Sequence, residues 1–347
     1  MITPFSTTGI GSLPHSGPRA ACRVVLDHAE IPFWPQLPAL GFRELMIPMY
    51  SDGFPFVAFE GGDAVAVDPP EEDAFAFYTA LESGDGFPVS RESSAGLYAF
   101  LDEIASRPRF QTLKGHITGP LTYTLGISDR IKRPLYYDDE KRELALSLLK
   151  GKAIWQIRLL KKYADEVIIF VDEPILSALG TSAYLGVSDE EAGRMLRETV
   201  DAVREAGGIS GIHCCGKAHW PLVLASGVDI LNFDSYDYGD SIRLYPEEVR
   251  RFIDGGGRIA WGVVPTTGEV ATVTLDAIGE KLRSVLDALL AMGIQGETIA
   301  KQSLITPSCG TGSLSVENAE RVFSLLKTLK AELSRFLPDA VRGALKP

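Results

Sequence analysis

"EVIIFVD", running from Glu166 to Asp172, is the stretch on which the fold turns. Five consecutive apolar residues, most of them β-branched, are too few for an ordinary helix and read as a strand buried on both faces, the kind found in parallel sheets. The run stops on a carboxylate. Seven similar runs lie on either side: Ser6 to Ser12 "STTGIGS", Phe33 to Leu37 "FWPQL", Thr112 to Thr118 "TLKGHIT", Ile209 to Cys215 "ISGIHCC", Val228 to Asp234 "VDILNFD", Arg258 to Val264 "RIAWGVV" and Ser303 to Cys309 "SLITPSC". Helical patterns separate most of them. Asp138 to Ala164 opens on an Asp pair suited to capping, Ser188 to Ala206 opens "SDEE", and the segments after Leu275 and Ser315 read similarly. Eight strands alternating with helices predict an α/β fold, a (β/α)8 TIM barrel, whose chemistry gathers at the carboxyl ends of the strands. Polar residues do stand there: Ser12, Thr118, Asp172, His213 with Cys215, Asp234 and Cys309.

Between the second and third strands, "VAFEGGDAVAVD" from Val57 to Asp68 reads as a β-hairpin turning at Gly61 and Gly62, followed by two helices. The expectation is one catalytic domain over residues 1–347 with an insertion at about 52–108. No internal repeat, low-complexity tract or linker interrupts it.

A chain of 347 residues, 45% hydrophobic, can bury a full core. No apolar run approaches the roughly 18 residues needed to span a bilayer, and "MITPFSTTGIGSLPHSG" lacks the features of a signal peptide, so a cytoplasmic protein without membrane contact is expected. A formal net charge of -12 argues against nucleic acid as a partner. Four cysteines are too few for a disulfide framework, and in a reducing compartment a Cys/His cluster points to metal binding or catalysis.

Such a cluster is present in "GIHCCG", Gly211 to Gly216. Along a strand, side chains alternate faces, so His213 and Cys215 point one way and Cys214 the other, towards packing against helices. Zinc takes about four Cys, His or carboxylate ligands, with one position left open in a catalytic site. Neighbouring strand ends supply Cys309 in "ITPSCG" and Asp234 in "DILNFD". His213, Cys215 and Cys309 would form one nitrogen and two sulfur ligands, with Asp234 as a labile or outlying oxygen. A buried free thiol is the alternative for Cys309.

The ordered motifs "TTGIGSLPH", "HITGPLT", "VDEP", "IHCCG" and "TPSCG" resemble the catalytic domain of cobalamin-independent methionine synthase, in a superfamily that also holds uroporphyrinogen decarboxylase and methylcorrinoid:coenzyme M methyltransferases. The resemblance implies a (β/α)8 barrel, zinc, and methyl transfer to the thiol of homocysteine. Carried over, the zinc ligands fall on His213, Cys215 and Cys309, with Asp234 where the family usually has Glu; Asp229 and Asp237 are weaker substitutes. Homocysteine contacts fall on Ile10, Ser12 and Asp172, whose carboxylate would hold the ammonium, and a second acidic contact on Glu44 or Gln36. Asp172 and Asp234 are thus the expected catalytic carboxylates.

The resemblance covers the catalytic half of the folate-dependent members, which carry a further barrel ahead of it. Where they have a histidine that helps protonate the folate nitrogen, this sequence has Val264, Pro265, Thr266 and Thr267. General acid help is worth ~10² to 10⁴ in rate, and a methyl group leaving cobalt needs no proton. The expected donor is therefore a methylcorrinoid, either methylcobalamin or a methylated corrinoid protein. Coenzyme M or another thiol is the alternative acceptor, though its sulfonate would favour a cationic anchor over Asp172. A uroporphyrinogen decarboxylase-like enzyme and a non-catalytic zinc or corrinoid accessory protein are the remaining readings. His15 and His116 could line the pocket or be structural, His28 reads as helix surface, and His219 as a packing residue.

Overall fold

The computed structural model describes residues 2–345 apart from Asp85. Nine strands occur there: β1 (Ser6–Thr7), β2 (Val57–Glu60), β3 (Asp63–Ala66), β4 (Phe110–Thr118), β5 (Ala164–Asp172), β6 (Ile209–Cys214), β7 (Ile230–Asp234), β8 (Arg258–Val264) and β9 (Ser303–Pro307). Seven of them form one parallel sheet in the order β1-β9-β8-β7-β6-β5-β4. Helices lie between consecutive strands, which makes the sheet the wall of a TIM-like barrel.

The second expected strand, Phe33 to Leu37, is a departure. It forms only isolated bridges, Ser12 to Gln36 on one side and Phe33 to Lys114 on the other, both parallel. Leu13 N–H donates to the Gln36 carbonyl at 2.9 Å, Gln36 N–H to Gly11 at 3.0 Å and Lys114 N–H to Pro32 at 2.9 Å, so this segment joins the two edges of the sheet without a ladder of its own. The reason is in "IPFWPQLP": Pro32, Pro35 and Pro38 lack the N–H that a continuous ladder needs. The first strand is shortened likewise, from Ser6–Ser12 to Ser6–Thr7.

The long helices begin where their caps predict. The Asp138 side chain accepts from Lys141 N–H ahead of Asp139–Leu160, Ser188 from Glu191 ahead of Asp189–Glu205, Thr274 from Ala277 ahead of Leu275–Ala291, and Ser315 from Asn318 ahead of Val316–Ala331. The sheet's inner face holds a small apolar cluster, with Ile10, Ile168, Phe170, Ile230, Ala260 and Leu304, separate from the large core under the helices. β2 and β3 pair antiparallel, and both turn residues have positive φ, Gly61 at 60° and Gly62 at 94°, as a type I′ turn requires. Helices Glu71–Ser83 and Ala95–Ile104 follow. Among the described residues, no helix is long and apolar enough to cross a membrane.

Candidate active site

β6 brings His213 to the inner face and Cys215 just past its end, and Cys309 follows β9 two residues after Pro307. Their ligand atoms lie within 4.8 Å of one another. His213 Nε2 is 3.4 Å from Cys215 Sγ, and the two sulfurs are 2.9 Å apart. Cys214 is fully buried on the opposite side, where burial pushes its pKa up to about 11.

Asn232, on β7, sets the histidine. Its amide nitrogen donates to the Ala260 carbonyl at 2.7 Å and to Thr306 Oγ1 at 2.9 Å, which turns its oxygen towards His213 Nδ1 at 2.6 Å. Nδ1 therefore carries a proton, and Nε2 is the ring nitrogen that faces the cysteines, where the neighbouring Cys309 sulfur raises the affinity of His213 for a second proton. The hydrogen bond from Cys215 holds the Cys309 pKa down to about 4, with help from His213, and the same contact pushes Cys215 far up. One proton thus sits between two sulfurs. The donor types suit a divalent cation such as zinc: tetrahedral ligands on bonds of ~2.0 to 2.3 Å stand roughly 3.5 Å apart, close to the 3.4 Å His–Cys separation, whereas the sulfurs at 2.9 Å would have to part to about 3.8 Å to bind it.

The cluster opens into a cavity of about 480 Å³ whose wall includes Ile10, Ser12, Gln36 and Asp172. Asp172 ends β5 opposite His213 in the register. Its Oδ1 is buried without a hydrogen-bond partner, and burial raises its pKa to about 6 against the pull of His213 and Lys114. Opposite it, Ser12 is clasped by the loop after Cys309: Thr311 N–H donates to its carbonyl at 2.9 Å and Gly312 N–H to its Oγ at 3.2 Å. Among the described residues, the N–H groups of Ile10 and Ser12 donate to nothing. The cavity therefore has a soft-ligand corner, an anionic wall and free backbone donors.

Other expected residues stand elsewhere. Asp234 is not in the convergent set; its carboxylate accepts from Asp237 N–H at 3.1 Å and caps the short helix Ser235–Tyr238. Burial raises it to about 6. Asp229 is bound by Arg204 and Ser210 ahead of β7, and Asp237 is exposed. Glu44 is off the cavity wall, accepting from Ala95 N–H at 2.7 Å and Leu37 N–H at 3.4 Å, while Gln36 lines the cavity and donates to the Glu44 carbonyl at 2.7 Å. His15 is buried with Nε2 3.3 Å from Glu320. His28 bonds the Val24 carbonyl one helical turn back, and His219 packs near Tyr245.

No family model and no curated protein matches this chain. Solved structures do. One is a methionine synthase. That structure, of a B12-independent methionine synthase from Shewanella sp. W3-18-1 in complex with selenomethionine, has a TM-score of 0.58 at 14% identity and covers 95% of this chain and 99% of its own. At that identity the likeness shows the fold, and the two chains are of similar length. An amidohydrolase structure matches 72% of this chain at 12% identity, but its TM-score of 0.29 supports no argument.

Two residues that the sequence reading passed over support the site: Asn232 and Glu173. Glu173 is fully buried, and its carboxylate accepts from Leu121 N–H and Thr122 N–H at 2.8 Å and from Thr122 Oγ1 at 2.6 Å. It locks "VDEP" to "HITGPLT". A Cβ at Gly119 would stand 2.1 Å from its Cδ, so the glycine in the second motif is the space that the carboxylate of the first occupies. The available signal was a carboxylate directly after a buried strand with a helix start in the neighbouring motif.

Proposed function

We propose that this protein is a zinc-dependent methyltransferase, a single (β/α)8 catalytic domain that methylates the thiol of homocysteine to form methionine. The observation that carries the reading is a convergent His213, Cys215 and Cys309 set facing the same cavity as an unpaired buried carboxylate. Asp172 would bind the ammonium, and the free N–H groups of Ile10 and Ser12 the carboxylate, leaving the thiol to reach the cysteine corner. A zinc ion held by those three residues would bind the acceptor thiol and lower its proton affinity towards neutral pH. Asn232 keeps His213 Nε2 free for that role. Asp234, at the next strand end, is an outlying carboxylate that caps its own helix and, one methylene shorter than Glu, would need a strand shift to reach the set.

In the transfer itself, a sulfur–carbon bond forms as the donor's bond to methyl breaks. The electron pair stays on the donor, and the thiol proton goes to solvent. The proposed donor is a methylcorrinoid, free methylcobalamin or one carried by a protein, because the loop after β8 offers no evident acid for a nitrogen leaving group. There, Thr266 is tied to Ser308 at 3.0 Å, Thr267 caps through Glu269 N–H, and the Glu269 carboxylate is held by Tyr236 at 2.5 Å. A second donor is favoured by one finding: the similar structure is that of a synthase described as B12-independent. Purified zinc-loaded protein offered homocysteine with methylcobalamin or with methyltetrahydrofolate separates the two. Methionine from methylcobalamin alone is the expected result. Methionine from folate alone would assign the donor otherwise, and a protein that binds zinc but no homocysteine would overturn the reading.

A further inference from the structure

The loop that follows Cys309 closes on Ser12 with three hydrogen bonds. Thr311 N–H and Thr311 Oγ1 both donate to the Ser12 carbonyl at 2.9 Å, and Gly312 N–H donates to Ser12 Oγ at 3.2 Å. Thr311 is buried, and the glycines on either side of it leave the room that Ser12 fills. A Cβ at Gly310 would stand 2.2 Å from Ser12 Oγ, and one at Gly312 2.9 Å from Ser12 Cβ.

A peptide unit is planar, with its N–H and C=O pointing opposite ways, so holding one end aims the other. The unit before Ser12 is held at the Gly11 carbonyl, which accepts from Gln36 N–H at 3.0 Å, and its other end, the Ser12 N–H, is thereby turned away from Gln36. The unit after Ser12 is held at both ends, by Thr311 at its carbonyl and by the Gln36 carbonyl at Leu13 N–H. With both flanking planes fixed, Ser12 keeps two donors that meet no acceptor among the described residues: its N–H and the proton of the hydroxyl that accepts from Gly312. Thr311 N–H already satisfies the Ser12 carbonyl. The Thr311 hydroxyl adds a second bond to the same oxygen, which closing the loop does not require.

We infer that Thr311 is a positioning residue for the carboxylate end of the acceptor. Its hydroxyl locks the peptide plane after Ser12, so that the Ser12 N–H and hydroxyl stay aimed at a carboxylate. Because Thr311 stands two residues after Cys309, one loop fixes that end of the cavity relative to the sulfur corner. The inference rests on the proposed function and deepens it: an amino-acid thiol is preferred over an amino thiol that lacks the carboxylate.

The test compares homocysteine with 3-mercaptopropylamine, the same amino thiol without the carboxylate, in the zinc-loaded wild type, Thr311→Val and Thr311→Ser. Valine keeps the shape and removes the hydroxyl, whereas serine keeps the hydroxyl. In Thr311→Val the KM for homocysteine should rise about 3- to 10-fold, the size of one neutral hydrogen bond, with kcat unchanged. The KM for 3-mercaptopropylamine should not move, and Thr311→Ser should restore the homocysteine value. Gly312→Ala, which crowds Ser12 from the same loop, should show the same selective loss and takes the place of Thr311→Val should that variant fail to fold. Equal losses for both acceptors, no loss for homocysteine, or no rescue by serine would overturn the role of Thr311. Calorimetry with methionine separates the two layers of the argument: a wild type that binds no amino acid refutes the proposed function, whereas equal binding by wild type and Thr311→Val refutes only Thr311.

Discussion

Asn232 determines how His213 can act, since its two donor bonds leave only an acceptor for Nδ1. Replacing it with alanine should weaken zinc binding about 10- to 100-fold, as loss of a hydrogen-bond partner behind a histidine ligand does, measured by competition with a chelator. The cysteines divide cleanly by side. Cys309→Ser should lose most zinc and nearly all transfer, whereas Cys214→Ser, altering a thiol on the helix-facing side, should keep its metal content. Asp172 sets a pH dependence. Its pKa of about 6 lies above the ordinary carboxylate range because of burial, so it is ionised at higher pH and protonated at lower. Affinity for methionine, titrated calorimetrically, should be flat above that value and fall towards tenfold per unit below it, and Asp172→Asn should flatten the profile.

At the scale of elements, the glycine–carboxylate lock between β4 and β5 should be intolerant of a methyl group. Gly119→Ala should lower stability by ~1 to 3 kcal/mol, read as a drop in thermal midpoint, because Glu173 must leave its three donors to make room. The same scale explains what could be read from residues alone. β5 was legible because a strand buried on both faces is written as an unbroken apolar run, and the capped helices because Ser, Thr and Asp announce their own hydrogen bonds. Phe33 to Leu37 was not, since its role in joining the sheet edges comes from bridges that prolines permit only singly. Strand alternation placed His213 and Cys215 together. It could not show that Asp234 caps a helix or that Glu44 clamps Leu37 to Ala95, because both depend on partners brought together by the fold.

For the whole molecule, the arrangement is a parallel barrel wall whose strand ends deliver one nitrogen and two sulfur donors to a cavity with an anionic side. A hairpin insertion after the bridging segment completes it. The account requires more than metal binding; it requires that the metal keep a position for the acceptor sulfur. Zinc-edge X-ray absorption on the loaded protein, with and without saturating homocysteine, tests that directly. The predicted result is a zinc shell containing the two sulfurs of Cys215 and Cys309 and gaining a third on adding homocysteine. A shell that holds zinc and does not change when the amino acid binds would contradict the account.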